Sequence, residues 1–116
     1  MSQKHKDLLL QGNAAIAAGN NEGFLALCTD DTEWNFVGDK ILRGKEAVRA
    51  WMAETYKQPP QFKVAELISE GNFLIALGEI SMADESGKQV DYSYCDVWQF
   101  RDNKLASLKA FVIATK

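Results

Sequence analysis

Apolar residues recur at helical spacing in three early stretches and at alternating spacing in the remainder. Residues 3–18 place Leu9, Asn13 and Ile16 on one stripe, and the alanines of "NAAIAAG" favour helix. Gly19 supplies a stop, and Asn20 or Asn21 can cap a second, shorter helix, "NEGFLALCTDD", with Phe24, Leu27 and Cys28 apolar. The period then falls to two in "TEWNFVGD" (32–39), where Trp34 and Phe36 oppose Glu33 and Asn35 up to a Gly38-Asp39 turn. "KILR" (40–43) fits a short edge strand. Beyond Gly44, "KEAVRAWMAETY" sets Val48, Trp51, Met52 and Thr55 at i, i+3, i+4 and i+7, a core-facing helical stripe that ends before Pro59-Pro60.

After the prolines only strands are indicated: "QFKVAELIS", "NFLIALGEISM", "KQVDYSYCDVWQF" and "KLASLKAFVIA". Glu70-Gly71, "ADESG" and Arg101-Asp102-Asn103 separate them, so neighbours should pair antiparallel through hairpins. The expected fold is a single α+β domain over residues 1–116, with three helices on one face of a curved, mostly antiparallel sheet. A curled sheet covered by modest helices encloses a cone-shaped cavity, a common place for a ligand. On the last strand Leu108, Ala110 and Val112 oppose Phe111 and Ile113, so both faces ask for burial. The second face is most simply covered by another copy of the chain, and a homodimer is expected.

The strand "YSYCDVWQF" (92–100) points to the site. Tyr92, Tyr94, Trp98 and Phe100 share its more apolar face with Asp96, which should turn into the cone. An ionised carboxylate there is costly, and burial should favour the neutral acid, which can donate a proton or a hydrogen bond. A network with Tyr94, Asn35 or a backbone group is the structural alternative. Trp34 and Asn35 on the first strand and Tyr56 after the third helix are further candidates for the ligand wall. Glu79 and Ser81 are a possible acid-and-hydroxyl pair, although a solvated or interface position suits them better. Lys109 is either a cross-strand partner of Glu79 or surface charge.

Composition narrows the chemistry. The chain is 47% hydrophobic and 25% charged, with a net charge of −3, as an ordinary folded protein would be. No apolar run approaches the ~18 residues of a membrane span, and the start lacks a signal-peptide pattern, so a cytoplasmic setting is expected. Basic residues are scattered, which disfavours nucleic acid as a partner. Cys28 and Cys95 read as thiols, not a disulfide. The single histidine, His5, falls in an N-terminal turn expected to fray, and one histidine excludes Ser-His-Asp and Cys-His catalysis and multi-histidine metal sites. Neither GxGxxG nor GxxxxGK[ST] occurs, and no metal or cofactor is expected.

Three stretches carry a family likeness: "AAIAAGNNEGFLALCTDDTEWNFVGD", "LRGKEAVRAWM" and "YCDVWQFRDNKLASLKAFVI". In order and spacing they resemble the SnoaL-like, ketosteroid-isomerase-related branch of the NTF2-like superfamily, over about residues 8–113. The resemblance implies a cone-shaped half-barrel with a deep pocket, commonly dimeric. It also lays the oxyanion-hole aspartate of the isomerases on Asp96, their base on Asn35 and their tyrosine on Gly12. An amide cannot accept a proton at neutral pH and glycine has nothing to donate, so steroid isomerisation by that route is not expected. The absence of an Arg-x-Asp pair weakens an epoxide-hydrolase reading. Two readings remain: a protein that holds a small, largely apolar carbonyl- or enol-bearing molecule, with isomerase- or cyclase-type chemistry at Asp96, or a non-catalytic dimeric binding module.

Overall fold

The structure is a computed structural model, and it describes residues 2–115. Helix α1 (Ser2–Ala17) ends where Gly19 takes a φ of 82°. Helix α2 (Asn21–Leu25) is capped by Asn20, whose side-chain oxygen accepts from the Gly23 N–H at 3.0 Å. Strands β1 (Cys28–Phe36) and β2 (Lys40–Arg43) follow, then α3 (Lys45–Thr55). Strands β3 (Gln61–Glu70), β4 (Phe73–Ala83), β5 (Gln89–Arg101) and β6 (Lys104–Ala114) complete the chain. The order across the sheet is β2-β1-β6-β5-β4-β3, and β2 and β3 are its free edges, so the sheet is unclosed. All neighbours are antiparallel except β1 and β6. The result is the expected α+β cone.

Two features differ from the sequence reading. The second helix stops at Leu25, and the segment expected to continue it, from Cys28, is the start of β1. Its residues gain more from β6: the Leu105 N–H donates to Leu27 O at 2.8 Å, and the buried Thr32 hydroxyl donates to Leu105 O at 3.1 Å. Tertiary pairing thus overrides helix propensity, and a parallel contact between distant strands leaves no turn signal to read. His5 is not frayed. It is buried inside α1 and stacks on Phe100 with ring centroids 4.0 Å apart.

Along β1, Trp34 and Phe36 face the helices, and α3 buries Val48 and Met52 against the sheet as its stripe requires. Gly12 marks where α1 meets α2: a Cβ there would stand 2.6 Å from the Phe24 ring. The outer sheet face is mixed in character, and Ile68, Phe73, Phe111 and Ile113 stand exposed on it among charged and polar residues such as Glu79 and Lys109. Among the described residues no helix is long and apolar enough to cross a membrane.

Candidate functional site

Cross-strand register builds the inner wall in rows. Trp34, Leu108, Trp98 and Leu74 form one row across β1, β6, β5 and β4. The next contains Phe36, Ala110, Asp96 and Ala76, and the one beyond it contains Val112, Tyr94 and Gly78. Asp96 therefore lies between two alanines, whose small side chains leave open space above it. The helices close the other side with Ile16, Phe24 and Trp51, and Tyr56 joins them from the end of α3. A cavity of about 270 Å³ remains, walled mostly by aromatic rings. Trp51 meets Trp34 at 6.0 Å and Tyr56 at 5.2 Å, both edge-on.

Trp34, Tyr56, Tyr92, Tyr94, Asp96 and Trp98 all line this cavity. Asn35 does not. It lies between two inward residues and so takes the outer face, opposite Ile41 and Lys109. The correspondence that laid a catalytic base on Asn35 is corrected accordingly: that amide is not in the cavity. Glu79 is also on the outer face, exposed between Lys63 and Ser93. Lys109 cannot reach it, because β5 separates their strands. The Ser81 hydroxyl accepts from the Gln89 amide at 3.0 Å instead of joining an acid.

Among the described residues Asp96 has no hydrogen-bond partner on Oδ1, which is fully buried. The residue as a whole is half-buried, because its remaining surface opens onto the cavity. Burial pushes its carboxyl up from 3.8 to about 7. The same burial, followed by the nearby Asp96, pushes the Tyr94 phenol up to about 12. Tyr56 is raised too, by burial first and then by Asp96 and Tyr94. Both phenols thus sense Asp96 across a single space. At neutral pH both phenols keep their protons, and a large share of Asp96 keeps its own. Such a cluster can donate hydrogen bonds to a carbonyl or enol oxygen among apolar walls, where they count for more than in water. The indole N–H groups of Trp34 and Trp98 are also buried without partners among the described residues.

Two polar lining residues are not among the site candidates read from sequence. Asn13 faces the cavity from α1, on the stripe that Leu9 and Ile16 define. Asp39 reaches it from the β1–β2 turn, where Gly38 has a φ of 85° and the Asp39 N–H donates to Phe36 O at 2.8 Å. The turn was legible, but not that it sits at the open end of the cone. Asp39 is exposed, and among the described residues its carboxylate has no ion-pair or hydrogen-bond partner. Two strand spacings separate its strand from Asp96, on the order of 10 Å.

The profile of the SnoaL-like domain matches residues 10–108. The chain belongs to this family. An NTF2-like protein of unknown function from Cytophaga hutchinsonii superposes on the SnoaL-like chain with a TM-score of 0.77 at 21% identity, covering 97% of this chain and 99% of its own. A putative SnoaL-like polyketide cyclase from Jannaschia sp. CCS1 gives 0.81 at 14% identity, with 96% and 86% covered. TerC, co-crystallised with polyporic acid, gives 0.78 at 16% identity, with 93% and 90% covered. At these identities the likeness is one of fold. No curated protein matches the SnoaL-like chain.

Proposed function

We propose that the protein binds a small, largely apolar molecule bearing a carbonyl or enol, and that Asp96 in its acid form donates to the ligand oxygen. The observation that carries this reading is a protonatable carboxyl deep in an aromatic cavity, with two phenols beside it and no partner of its own among the described residues. TerC and the putative polyketide cyclase, proteins of the same fold, lend support by their descriptions. Catalysis follows if a base faces the acid. Asp39 takes a proton from the carbon next to the carbonyl while Asp96 gives one to the oxygen, and the product is the enol. Reversal of both transfers restores the ketone and the two carboxyl groups.

All three tryptophans line the cavity, so intrinsic fluorescence reports on its occupancy. With 1-tetralone as probe, the wild type should show a saturable change that weakens at least tenfold in Asp96→Asn; equal binding by the two would reject the assignment. In D2O the wild type should speed exchange of the protons on C2 of the tetralone. Asp39→Asn should lower that rate about 100-fold, in line with loss of a general base, while leaving binding intact. Exchange that persists in Asp39→Asn would overturn Asp39 as the base, and a wild type that does not speed exchange would leave the protein as a binding module.

The outer sheet face favours a homodimer within this reading. Ile113 is 67% exposed and Ile68 51%, on the same face as Phe73 and Phe111, and large apolar side chains exposed together on one face mark an interface. Sedimentation at micromolar concentration should show a dimer that Ile113→Glu dissociates; a monomeric wild type would contradict it. Both cysteines are free thiols, which fits the reducing cytoplasmic setting we infer.

A further inference from the structure

A second hollow adjoins the cavity. It has a volume of about 750 Å³ and runs between the C-terminal end of α3 and the β4–β5 turn. Trp51, Met82 and Tyr92 line both spaces and so form the threshold between them. The change in wall chemistry across that threshold is abrupt. The inner space is aromatic, whereas the outer one is lined by Lys40, Glu54, Thr55, Lys57, Gln58 and Glu85. Volume alone argues that a ligand extends outward. Ligand sites usually measure about 300–1,000 Å³, and the inner cavity at about 270 Å³ falls just short of that range.

The charges of the outer hollow largely cancel. Lys57 pairs with Glu54 at 3.2 Å. Asp84, also on its wall, is committed to its own turn, where Oδ1 accepts from the backbone N–H of Ser86 at 2.8 Å and of Lys88 at 3.0 Å. Lys40 and Glu85 remain, opposite in sign and without ion-pair partners among the described residues. A charged tail of either sign would gain one of them and be repelled by the other. A hydroxyl both donates and accepts, and Lys40, Thr55, Gln58 and Glu85 offer both kinds of partner.

We propose that the ligand is amphipathic: an apolar ring system in the inner cavity, joined across the Trp51–Met82–Tyr92 threshold to a neutral polyhydroxylated tail, such as a sugar, in the outer hollow. This rests on the inner-cavity reading given above and adds the chemistry of the tail. Calorimetric titration with 2-naphthol and with 2-naphthyl β-D-glucoside tests the two parts separately. The glucoside should bind the wild type at least tenfold more tightly than naphthol. Gln58→Trp, which fills the outer hollow, should bring the two affinities together while leaving naphthol binding unchanged, and that unchanged binding also shows that the variant folds. Should it not fold, Lys40→Ala/Gln58→Ala takes its place with the same expectation. Naphthol binding without a gain from the glucose overturns the tail alone. A gain that survives in the variant overturns its placement. Failure of both compounds to bind the wild type overturns the inner-cavity reading and this one with it.

Discussion

Asp96→Asn should make the protein more stable at pH 8, by about 2–4 kcal/mol, and leave it nearly unchanged at pH 4. The folded-state value of about 7 lies above the ordinary 3.8, so the native state holds this proton more tightly than the unfolded chain. The stabilisation from holding it is complete below the ordinary value and is lost as pH rises through the folded one. At about 1.4 kcal/mol per pH unit, the span from 3.8 to about 7 sets an upper bound of about 4 kcal/mol. An amide has the shape of the neutral acid but no charge to bury, so it escapes the loss. Urea denaturation of both proteins from pH 4 to 8 measures the difference, and the subtraction removes every other titrating group. A difference that does not grow with pH would mean that Asp96 ionises without penalty. The same variant should lose tetralone binding, so stability and function move in opposite directions at one residue, as expected of a site whose strain serves its chemistry.

Gly78→Ala should cost about 3 kcal/mol, the upper range for overpacking, and should disturb the site as well. A Cβ at Gly78 would run into the backbone oxygen of Lys63 and stand 2.7 Å from the Tyr94 hydroxyl. The first obstacle is main chain and cannot swing aside. It lies where β3 carries an extra residue, Ala65, between the pairs Val64–Gly78 and Glu66–Leu77. The second obstacle is the end of the Tyr94 side chain, so the phenol must shift if the strand accommodates the methyl. Alanine suits a strand better than glycine, but that gain of well under 1 kcal/mol does not offset the collision. Chemical denaturation gives the cost, and weakened tetralone binding reports the displaced phenol. A variant as stable as the wild type would mean that β3 yields freely at its bulge.

Much of this was legible because alternation within a strand is strict. Asp96, Tyr94 and Trp98 share a face by counting alone, and a carboxyl among rings on that face leads to a raised pKa without coordinates. The same rule, applied to β1, places Asn35 opposite Trp34 and Phe36, so the family correspondence that drew Asn35 into the site was at odds with its own strand. Hidden from sequence were the effects of distant pairing. The parallel contact of β1 with β6 converts Cys28–Asp31 from expected helix to strand and carries the Gly38-Asp39 turn to the mouth of the cone. The burial of His5 is hidden for a similar reason, since nothing near it in the chain announces that Phe100 will stack on its ring.

The account stands on a carboxyl that stays protonated near neutral pH inside the cavity. A carbon-13 NMR titration of the aspartate carboxyls, with Asp96→Asn to assign the signal, measures it directly. The account predicts an Asp96 midpoint near 7 that rises further when 1-tetralone is bound, because the ligand oxygen accepts from the acid form. A midpoint in the ordinary aspartate range near 4, with or without the ligand, would contradict it.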